Sequence, residues 1–342
     1  MNKELYFGVD VSKNWLDVAY YNGVTIDWKG GHIRVDNNLH GFIQIGKWLK
    51  KLNAEKDCAL FCMEYTGLYS QGFRLWLEKE GIKYGMVQPR KMHRFEPDLG
   101  ENERAIDRIK TDEVDSFRIA IYCEKHQRKI KTSPSKLPGE AYLKLKRLLS
   151  ERKQYTKQST LYKQQLHDIS EYDTEGSCKR KQYGLDFVKN QIHQTDKEIQ
   201  KVLEQDPNLA TNYNLLRSIK GIGLVVAVET IVLTENFTSI SNPRKYACYI
   251  GIAPARKESG ISVKGGEHVS RKGFTQAKAD LSIVCLVSIK WDPNIKAYWE
   301  RKKAEGKCTG IVLNAIKFKL VLRMFAVIKR QQPYVIIDGH KK

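Results

Sequence analysis

The chain has 342 residues, of which 41% are hydrophobic, and its 59 Lys and Arg against 39 Asp and Glu give a net charge of +20. This length allows two or three domains, and this apolar fraction excludes wholesale disorder. No run of about 18 apolar residues occurs, which excludes a membrane-spanning helix. The charge indicates nucleic acid as partner, because such an excess otherwise costs self-repulsion; a merely basic soluble surface is the alternative.

The N-terminus "MNKELYFGVD" enters a strand directly, which leaves no room for a signal peptide. The seven cysteines are odd in number and form no CxxC pair. These features predict a reducing, cytoplasmic location, and they predict neither disulfides nor a zinc site.

Residues 1–132 alternate strand-like and helical segments. Strands are predicted in "LYFGVDV", "WLDVAYY", "TIDWKGGHIRV", "CALFCME" and "KYGMVQP", and helices in "LHGFIQIGKWLKKL" and in "YSQGFRLWLEKEG", which Gly81 closes. The order of three strands, helix, strand, helix, strand and helix predicts an α/β domain, in which helices pack on a mixed sheet.

Residues 140–205 have the spacing of two long helices. A period of three and four recurs at positions 145, 148, 152, 155, 159, 162, 166 and 169, and again from Leu185 to Val202 after a break at "DTEGSCKRKQYG". This pattern predicts a helical hairpin with a coiled-coil seam, either antiparallel within one chain or in a dimer; two helices packed on a globular core are the alternative. We expect Lys179, Arg180 and Lys181 to lie between the helices, in contact with RNA or simply solvated.

Residues 211–342 are predicted to be mainly helical. "NLLRSIKGIGLVVAVETIVL" indicates two helices joined at a glycine turn. The turn is either a helix-hairpin-helix whose amides bind phosphate or a tight turn in which Gly221 and Gly223 adopt positive φ. The segment "ARKESGISVKGGEHVSRKGF" follows, and three helices are predicted at about 275–291, 294–304 and 308–330.

Four carboxylates stand out in the first region. Asp10 lies inside an apolar strand on the face of Gly8 and Ser12, Glu64 ends a buried strand, and Asp112 and Asp115 share a helix face at i, i+3. Crowded acids stay ionised together only around a cation, and Mg²⁺, as one or two ions, suits carboxylate and phosphate oxygens in phosphodiester cleavage. Taken singly, Asp10 could begin a turn and Asp112 could cap a helix.

These motifs resemble a known family. "GVDVSK…DVA", "EYTGLY", "KTDEVDS", "SIKGIGLVVAVETIV", "YIGIAPARKESG" and "VSRKG" occur in the order found in the DEDD transposases of bacterial insertion sequences, relatives of the Piv DNA invertase. The resemblance covers nearly the whole chain. Departures from the family pattern at Ser116, Phe274 and Lys278 bear on local packing or DNA contacts.

The resemblance implies a fold and a division into domains. It implies a RuvC-like, ribonuclease-H-type catalytic domain over 1–132, a helical hairpin over 140–205 and a mainly helical transposase domain over 211–342. It also implies that Asp10, Glu64, Asp112 and Asp115 form the family's Mg²⁺-binding acidic tetrad.

The resemblance further implies a nucleophilic serine that forms a covalent phosphoserine with DNA. Ser259 in "ESG" matches it best, and Ser270 in "VSRKG" is a second candidate. Basic residues near Ser259 could hold a phosphate, and the neighbouring glycines permit close backbone approach; the predicted contacts are Arg256, Lys257, Lys264, Arg271 and Lys272. From the residues alone, a flexible basic loop in which Ser259 is incidental is the alternative.

The partners implied by the resemblance are donor and target double-stranded DNA, a structured bridge RNA that selects both by base pairing, and further copies of the chain in a dimer or tetramer. The resemblance thereby also implies association with the bacterial nucleoid. Three other functions stay open at this point. A RuvC-like nuclease would use water as nucleophile, and a non-catalytic RNA-binding protein would have degenerate carboxylates. An actin-like ATPase would need a second glycine-rich phosphate loop, which the sequence does not contain.

Overall fold

The computed structural model describes residues 4–27, 29–65, 67–95, 111–169, 171–255, 258–259, 263–264, 268–269 and 273–336. The chain divides into two compact units, Met1–Leu137 and Pro138–Lys342, and each is described by itself. Within the described residues no helix is long and apolar enough to cross a membrane.

The first unit contains a five-stranded mixed sheet with the strand order β3-β2-β1-β4-β5. Strands β1 to β3 pair antiparallel, whereas β1, β4 and β5 pair parallel. The elements are β1 (Leu5–Val11), β2 (Trp15–Tyr21), β3 (His32–Asp36), α1 (Leu39–Lys51), a 3₁₀ turn (Lys56–Cys58), β4 (Ala59–Glu64), α2 (Gln71–Lys79), β5 (Lys83–Val87), α3 (Pro89–Met92), α4 (Asp112–Lys125) and α5 (Gln127–Thr132). The predicted α/β fold with a ribonuclease-H-like sheet is confirmed.

The two faces of the sheet bury different cores. Phe7 and Phe61 stack on one face, in the cluster that α1 and α2 cover. On the other face, Tyr6 and Cys62 pack under α4. Gly8 lets α4 approach β1 closely, because a methyl group there would overlap the Ser116 carbonyl and the Ala120 amide of the helix.

The second unit contains eight helices and four two-residue strands within its described residues. The helices are α6 (Glu140–His167), α7 (Glu175–Glu204), α8 (Pro207–Arg217), α9 (Leu224–Thr234), α10 (Pro243–Tyr249), α11 (Thr275–Trp291), α12 (Pro293–Ala304) and α13 (Thr309–Arg330). The short strands are β6 (Pro254–Ala255), β7 (Glu258–Ser259), β8 (Val263–Lys264) and β9 (His268–Val269). The three helices predicted after residue 274 are confirmed within one residue at each end.

Helices α6 and α7 pack as an antiparallel hairpin. Arg152 pairs with Asp196 across the hairpin at 2.6 Å, and Gly184 makes room for the Tyr162 ring nearer its tip. The prediction that Lys179, Arg180 and Lys181 lie between the two helices is wrong. All three lie within α7. The helix begins earlier because Thr174 caps it and accepts a hydrogen bond from the Ser177 amide.

The base of the hairpin shares one apolar core with the helices that follow. Leu145 and Ile199 are fully buried in the cluster that contains α8, α9, α11 and α13. The predicted turn between α8 and α9 is present, with Gly221 at φ +94°, but the positive φ predicted for Gly223 is wrong, because Gly223 is the extended N-cap of α9 at φ −90°. Ser288 of α11 donates a hydrogen bond to the Lys220 carbonyl and holds this turn against the bundle.

Candidate active site

A row of polar residues crosses four neighbouring strands at one end of the sheet. Asp10 on β1 is the Cα partner of Asp17 on β2, and Asp17 is the partner of Arg34 on β3. On the other side, Glu64 follows Met63, which pairs with Val9 in the parallel β1–β4 ladder, so Glu64 stands beside Asp10. Paired positions share a face of the sheet, and this face is the one that α4 covers.

Helix α4 brings two more carboxylates to the row. Thr111 is the N-cap, and its hydroxyl accepts a hydrogen bond from the Val114 amide. Asp112 is therefore the first helical residue and not the cap, which corrects the alternative considered from the sequence. Acidic side chains in a first turn are stabilised by the helix dipole.

Three of the four predicted tetrad residues line a single cavity. The cavity has a volume of about 390 Å³, and Asp10, Glu64 and Asp115 contribute to its wall. The remaining lining residues are Pro89, Met92, His93, Arg118 and Ile119. The strand ends and the first turn of α4 thus enclose an acidic site open to a ligand.

Asp112 lies at the edge of this site and not in the cavity wall. Its Oδ2 accepts a hydrogen bond from Arg34 Nη2 at 2.9 Å. Arg34 reaches it from the end of the polar row, where its Nε also contacts Asp17 Oδ1 at 3.0 Å. The Asp112 charge still acts on Asp10.

The carboxylates repel one another. Burial, followed by the charges of Asp112 and Asp115 and then those of Asp17 and Glu64, raises the pKa of Asp10 to about 6. Burial and the Asp115 charge also raise the pKa of Glu64, against the opposing charge of Arg118. Among the described residues, no positive charge offsets this repulsion at Asp10, a half-buried carboxylate that needs a positive partner.

Arg118 and the pair Asp17–His32 were not identified from the sequence. Asp17 is only 1% exposed, and His32 Nε2 lies 2.8 Å from its Oδ1. An aspartate inside the apolar run "WLDVAYY" is the same signal that marked Asp10. Arg118 follows Asp115 by one helical turn, with Nη1 at 3.8 Å from the Asp115 carboxylate, and its buried Nε has no hydrogen-bond partner among the described residues.

The site has the donors that a hard divalent cation takes. As the side chains stand, no three Asp, Glu, His or Cys residues of the described part of the chain converge as a complete metal-binding group. The uncompensated charge around Asp10 nevertheless fits a cation, because it would relieve the repulsion that raises the Asp10 pKa. Asp10, Glu64 and Asp115 are the residues able to hold it.

Ser259 lies on a segment fastened at both ends. Ala255 pairs with His268 and Pro254 with Val269, and the backbone of Ser259 itself pairs with Val263. Beyond these pairs, the Phe274 amide donates to the Tyr249 carbonyl at 3.0 Å. The side chain of Ser259 lies outside the described atoms.

The other predicted residues of this segment lie mostly outside the described range, and no structural statement is made about them. They are Arg256, Lys257, Ser270, Arg271 and Lys272. Lys264 is described only as a backbone partner of Glu258 in the β7–β8 pair.

Comparison with known proteins identifies the family. A model described as "Transposase", for the DEDD domain of IS110-type elements, matches residues 7–169, and one described as "Transposase IS116/IS110/IS902 family" matches residues 213–300. The pilin gene-inverting proteins of Moraxella lacunata and Moraxella bovis are each 25% identical over 333 residues, 96% of this chain and 97% of theirs.

A further relative is an uncharacterized 43.6 kDa protein of insertion element IS110 from Streptomyces coelicolor, 28% identical over 145 residues, 42% of this chain and 35% of that protein. The matches to two family models and to full-length DNA-inverting relatives agree with the acidic site on a ribonuclease-H-like sheet. The chain belongs to the IS110-type DEDD transposases, enzymes of DNA recombination.

Proposed function

We propose that this transposase cuts and joins donor and target DNA with Mg²⁺ held by its carboxylates and with Ser259 as nucleophile, under the guidance of a structured RNA. The observation that carries the proposal is the convergence of Asp10, Glu64 and Asp115 on one cavity, with Asp112 at its edge. The division into domains over 1–132, 140–205 and 211–342 belongs to the same proposal.

Asp10, Glu64 and Asp115 are the proposed metal ligands, and Asp112 joins them when it leaves Arg34. A bound Mg²⁺ supplies charge stabilisation to the phosphorus centre in transfer. Arg118, at the wall of the same cavity, is placed to contact a phosphate oxygen, because no described residue accepts a hydrogen bond from its Nε, although its Nη2 donates to the Phe95 carbonyl at 3.3 Å. The two short hydrogen bonds that fix Asp17 leave it outside this chemistry.

In the proposed chemistry the Ser259 Oγ attacks phosphorus, a new O–P bond forms, and the bond to the leaving deoxyribose oxygen breaks. The serine proton ends on that oxygen, which leaves as a hydroxyl. A second DNA hydroxyl then attacks the phosphoserine and restores the serine, so the phosphodiester count is conserved. Ser270 is the alternative nucleophile, and the basic residues Arg256, Lys257, Lys264, Arg271 and Lys272 are proposed to hold the backbone.

RNA guidance and oligomerisation rest on charge and on the family. The net charge of +20 suits RNA and DNA held together. Arg180, in the first turns of α7, is proposed to contact RNA; its neighbours are partly neutralised, since Lys181 pairs with Asp173 at 2.8 Å and Lys179 with Glu175. Dimers or tetramers would hold two DNA ends at once.

The test is recombination between a donor and a target plasmid, with Ser259→Ala, Ser270→Ala and Asp10→Asn compared. The proposal predicts no joining by the Ser259→Ala and Asp10→Asn variants, and a protein–DNA adduct on a Ser259 peptide only when that serine is present. Joining at the wild-type rate by Ser259→Ala would refute the serine mechanism. Cleavage without an adduct would instead favour a nuclease that uses water.

The proposed RNA guidance is tested by leaving out of the joining assay the RNA transcribed from the noncoding DNA beside the gene. Loss of site choice without RNA supports guidance, whereas unchanged joining at the same site in its absence contradicts it.

A further inference from the structure

Helix α12 and the first half of α13 form a strongly basic surface. Residues 296–319 contain seven Lys and Arg against two carboxylates, Glu300 and Glu305. Both carboxylates are already paired, since Glu300 lies 4.0 Å from Lys296 and Glu305 lies 2.6 Å from Lys302. Four further cations of this stretch are exposed, and no described carboxylate forms an ion pair with them. These four residues, which define the α12–α13 surface, are Arg301, Lys303, Lys307 and Lys319.

Tyr298 holds two of these cations on one ring. The ring is half-buried against the apolar core of the second unit. Arg301, on the same helix, has its Cζ 5.6 Å from the ring centroid, and Lys319 of α13 has its Nζ 4.5 Å from it. The electrons of the ring attract both cations but leave their charges in place. Two like charges from different helices are therefore held close together, and a bound anion would relieve their repulsion.

Trp299 positions a third cation. Lys303 Nζ lies 5.9 Å from the Trp299 ring centroid and donates a hydrogen bond to Thr309 Oγ1, at the first residue of α13, at 3.0 Å. Neither the ring nor the hydroxyl neutralises the ammonium group, which has three N–H donors. Lys303 is thus fixed between the two helices and still able to donate to an anionic oxygen.

The chemistry of the α12–α13 surface indicates its ligand. Several exposed cations without carboxylate partners suit a polyanion whose charges are spaced along a chain. Proteins that bind single strands stack unpaired bases on open aromatic faces, whereas the rings of Tyr298 and Trp299 are half-buried and already carry cations. Lys and Arg side chains of this kind contact phosphates and position a duplex without reading its sequence.

We propose that the α12–α13 surface binds the phosphate backbone of duplex DNA independently of sequence. DNA is the substrate of the transposase family to which the chain belongs. Helix α12 has 12 residues, a length of about 18 Å, which is enough to follow a strand past more than one phosphate. The inference goes beyond the proposed function, because this binding needs neither the metal nor Ser259 nor a guide RNA.

The experiment measures the affinity of the full-length chain for a fluorescein-labelled DNA duplex across a salt series. The double variant Arg301→Gln/Lys319→Gln removes both charges held on Tyr298. We expect about tenfold weaker binding at physiological salt and a log–log salt slope smaller by about 1.8, the value of two lost phosphate contacts. Two duplexes of unrelated sequence should lose affinity equally, and a loss confined to one of them would contradict backbone binding.

Lys50→Gln/Lys51→Gln is the matched control. Both lysines are exposed at the end of α1, which covers the sheet face opposite the acidic cavity, and the variant loses the same two charges. It should reduce the salt slope by less than about 0.5. If Arg301→Gln/Lys319→Gln binds DNA no more weakly than this control, the α12–α13 surface is not a DNA site.

Tyr298→Leu tests the arrangement of the charges with their number unchanged. Loss of the ring should weaken DNA binding by about threefold, because Arg301 and Lys319 lose their common support. Tyr298→Phe keeps the ring and should bind DNA as the wild type does; equal binding by both variants would overturn an organised site. Thermal unfolding without DNA checks the fold, and if Tyr298→Leu does not fold, the double variant, whose changed side chains are exposed, decides.

Two further arms separate related outcomes. If Arg301→Gln/Lys319→Gln loses affinity for an RNA hairpin while its DNA affinity is unchanged, the ligand is RNA and the DNA assignment fails. Ser259→Ala should bind the duplex as tightly as the wild type. If that variant still joins DNA while the double variant lowers the salt slope, the serine mechanism fails and the DNA-binding surface stands.

Discussion

Asp10 and Asp17 face each other as Cα partners on neighbouring antiparallel strands, yet the pKa of the Asp10 carboxyl is raised and that of the Asp17 carboxyl is lowered. Burial would raise the pKa of Asp17, but hydrogen bonds from His32 and Arg34 outweigh it and lower that pKa. Burial and four neighbouring carboxylates raise the pKa of Asp10. Two directly opposed aspartates thus have opposite electrostatic surroundings: Asp17 has cationic partners, and Asp10 has none among the described residues.

The first prediction is that substitution of Asp17 lowers stability, whereas substitution of Asp10 abolishes DNA joining. Asp17→Asn removes the buried anion that Arg34 and His32 contact and should destabilise the first unit by about 2 kcal/mol. Asp10→Asn removes a repelled charge and should leave stability unchanged or raise it by up to about 1 kcal/mol while abolishing DNA joining. Chemical denaturation and the plasmid assay measure the two effects.

The wild type and both variants should be compared at equal protein concentration and without added metal. A marked loss of stability in Asp10→Asn would contradict the division of roles, as would complete loss of joining in a folded Asp17→Asn protein.

The second prediction concerns the contact between α4 and the sheet. Gly8→Ala places a methyl group against the backbone at Ser116 and Ala120, so α4 must shift. We expect destabilisation of about 2 to 4 kcal/mol and a large loss of joining, because α4 carries Asp112 and Asp115. Circular dichroism melting and the joining assay are the measurements.

Gly46→Ala is the control for this substitution. Gly46 is inside α1, and an added methyl group would meet Trp76 only at an ordinary contact of 3.5 Å. Alanine should stabilise that helix by about 0.5 to 1 kcal/mol without affecting joining. If Gly8→Ala and Gly46→Ala changed stability and joining equally, the close packing of α4 on Gly8 could not be the cause of the Gly8→Ala defect.

Much of the fold was accessible from sequence, because apolar period and turn residues mark each element locally. Asp10, Glu64 and Asp115, which line the cavity, were candidates from the sequence alone. The alternation of a strand and the spacing of a helix indicate on which face each carboxylate lies. Arg34 was missed because its contact with Asp112 depends on how α4 packs against β3, between residues 78 positions apart. The start of α7 was misplaced since the cap at Thr174 outweighs the charged, glycine-containing sequence after it.

The third prediction ranks the carboxylates by metal affinity. Asp115 lines the cavity, whereas Asp112 is held by Arg34 at its edge. Mg²⁺ should raise the melting temperature of the wild type, and Asp115→Asn should reduce this shift more than Asp112→Asn. A titration of Mg²⁺ followed by thermal unfolding gives the ranking; a larger effect of Asp112→Asn would place the metal near α4's first residue and away from the cavity.

The fourth prediction is a pH dependence in the second unit. Burial, followed by the charge of Asp280, raises the pKa of Glu229 on α9 to about 7, against the weaker opposing effect of Lys153 on α6. These residues line a cavity of about 120 Å³. Because the folded-state pKa lies above the ordinary value near 4.5, protonation of Glu229 stabilises the fold below about pH 4.5, and this stability is lost as pH rises through about 7.

Glu229→Gln keeps the neutral state at every pH. Its free energy of unfolding should match the wild type near pH 4.5 and exceed it by about 1 to 2 kcal/mol at pH 8, after discounting for solvent screening. Glu198→Gln, an exposed position on α7, is the control and should change stability by less than about 0.5 kcal/mol at either pH. Denaturation at pH 5 and pH 8 measures the difference, and a Glu229→Gln advantage that shrinks as pH rises would show that Glu229 is stabilised as a carboxylate, most directly by Lys153.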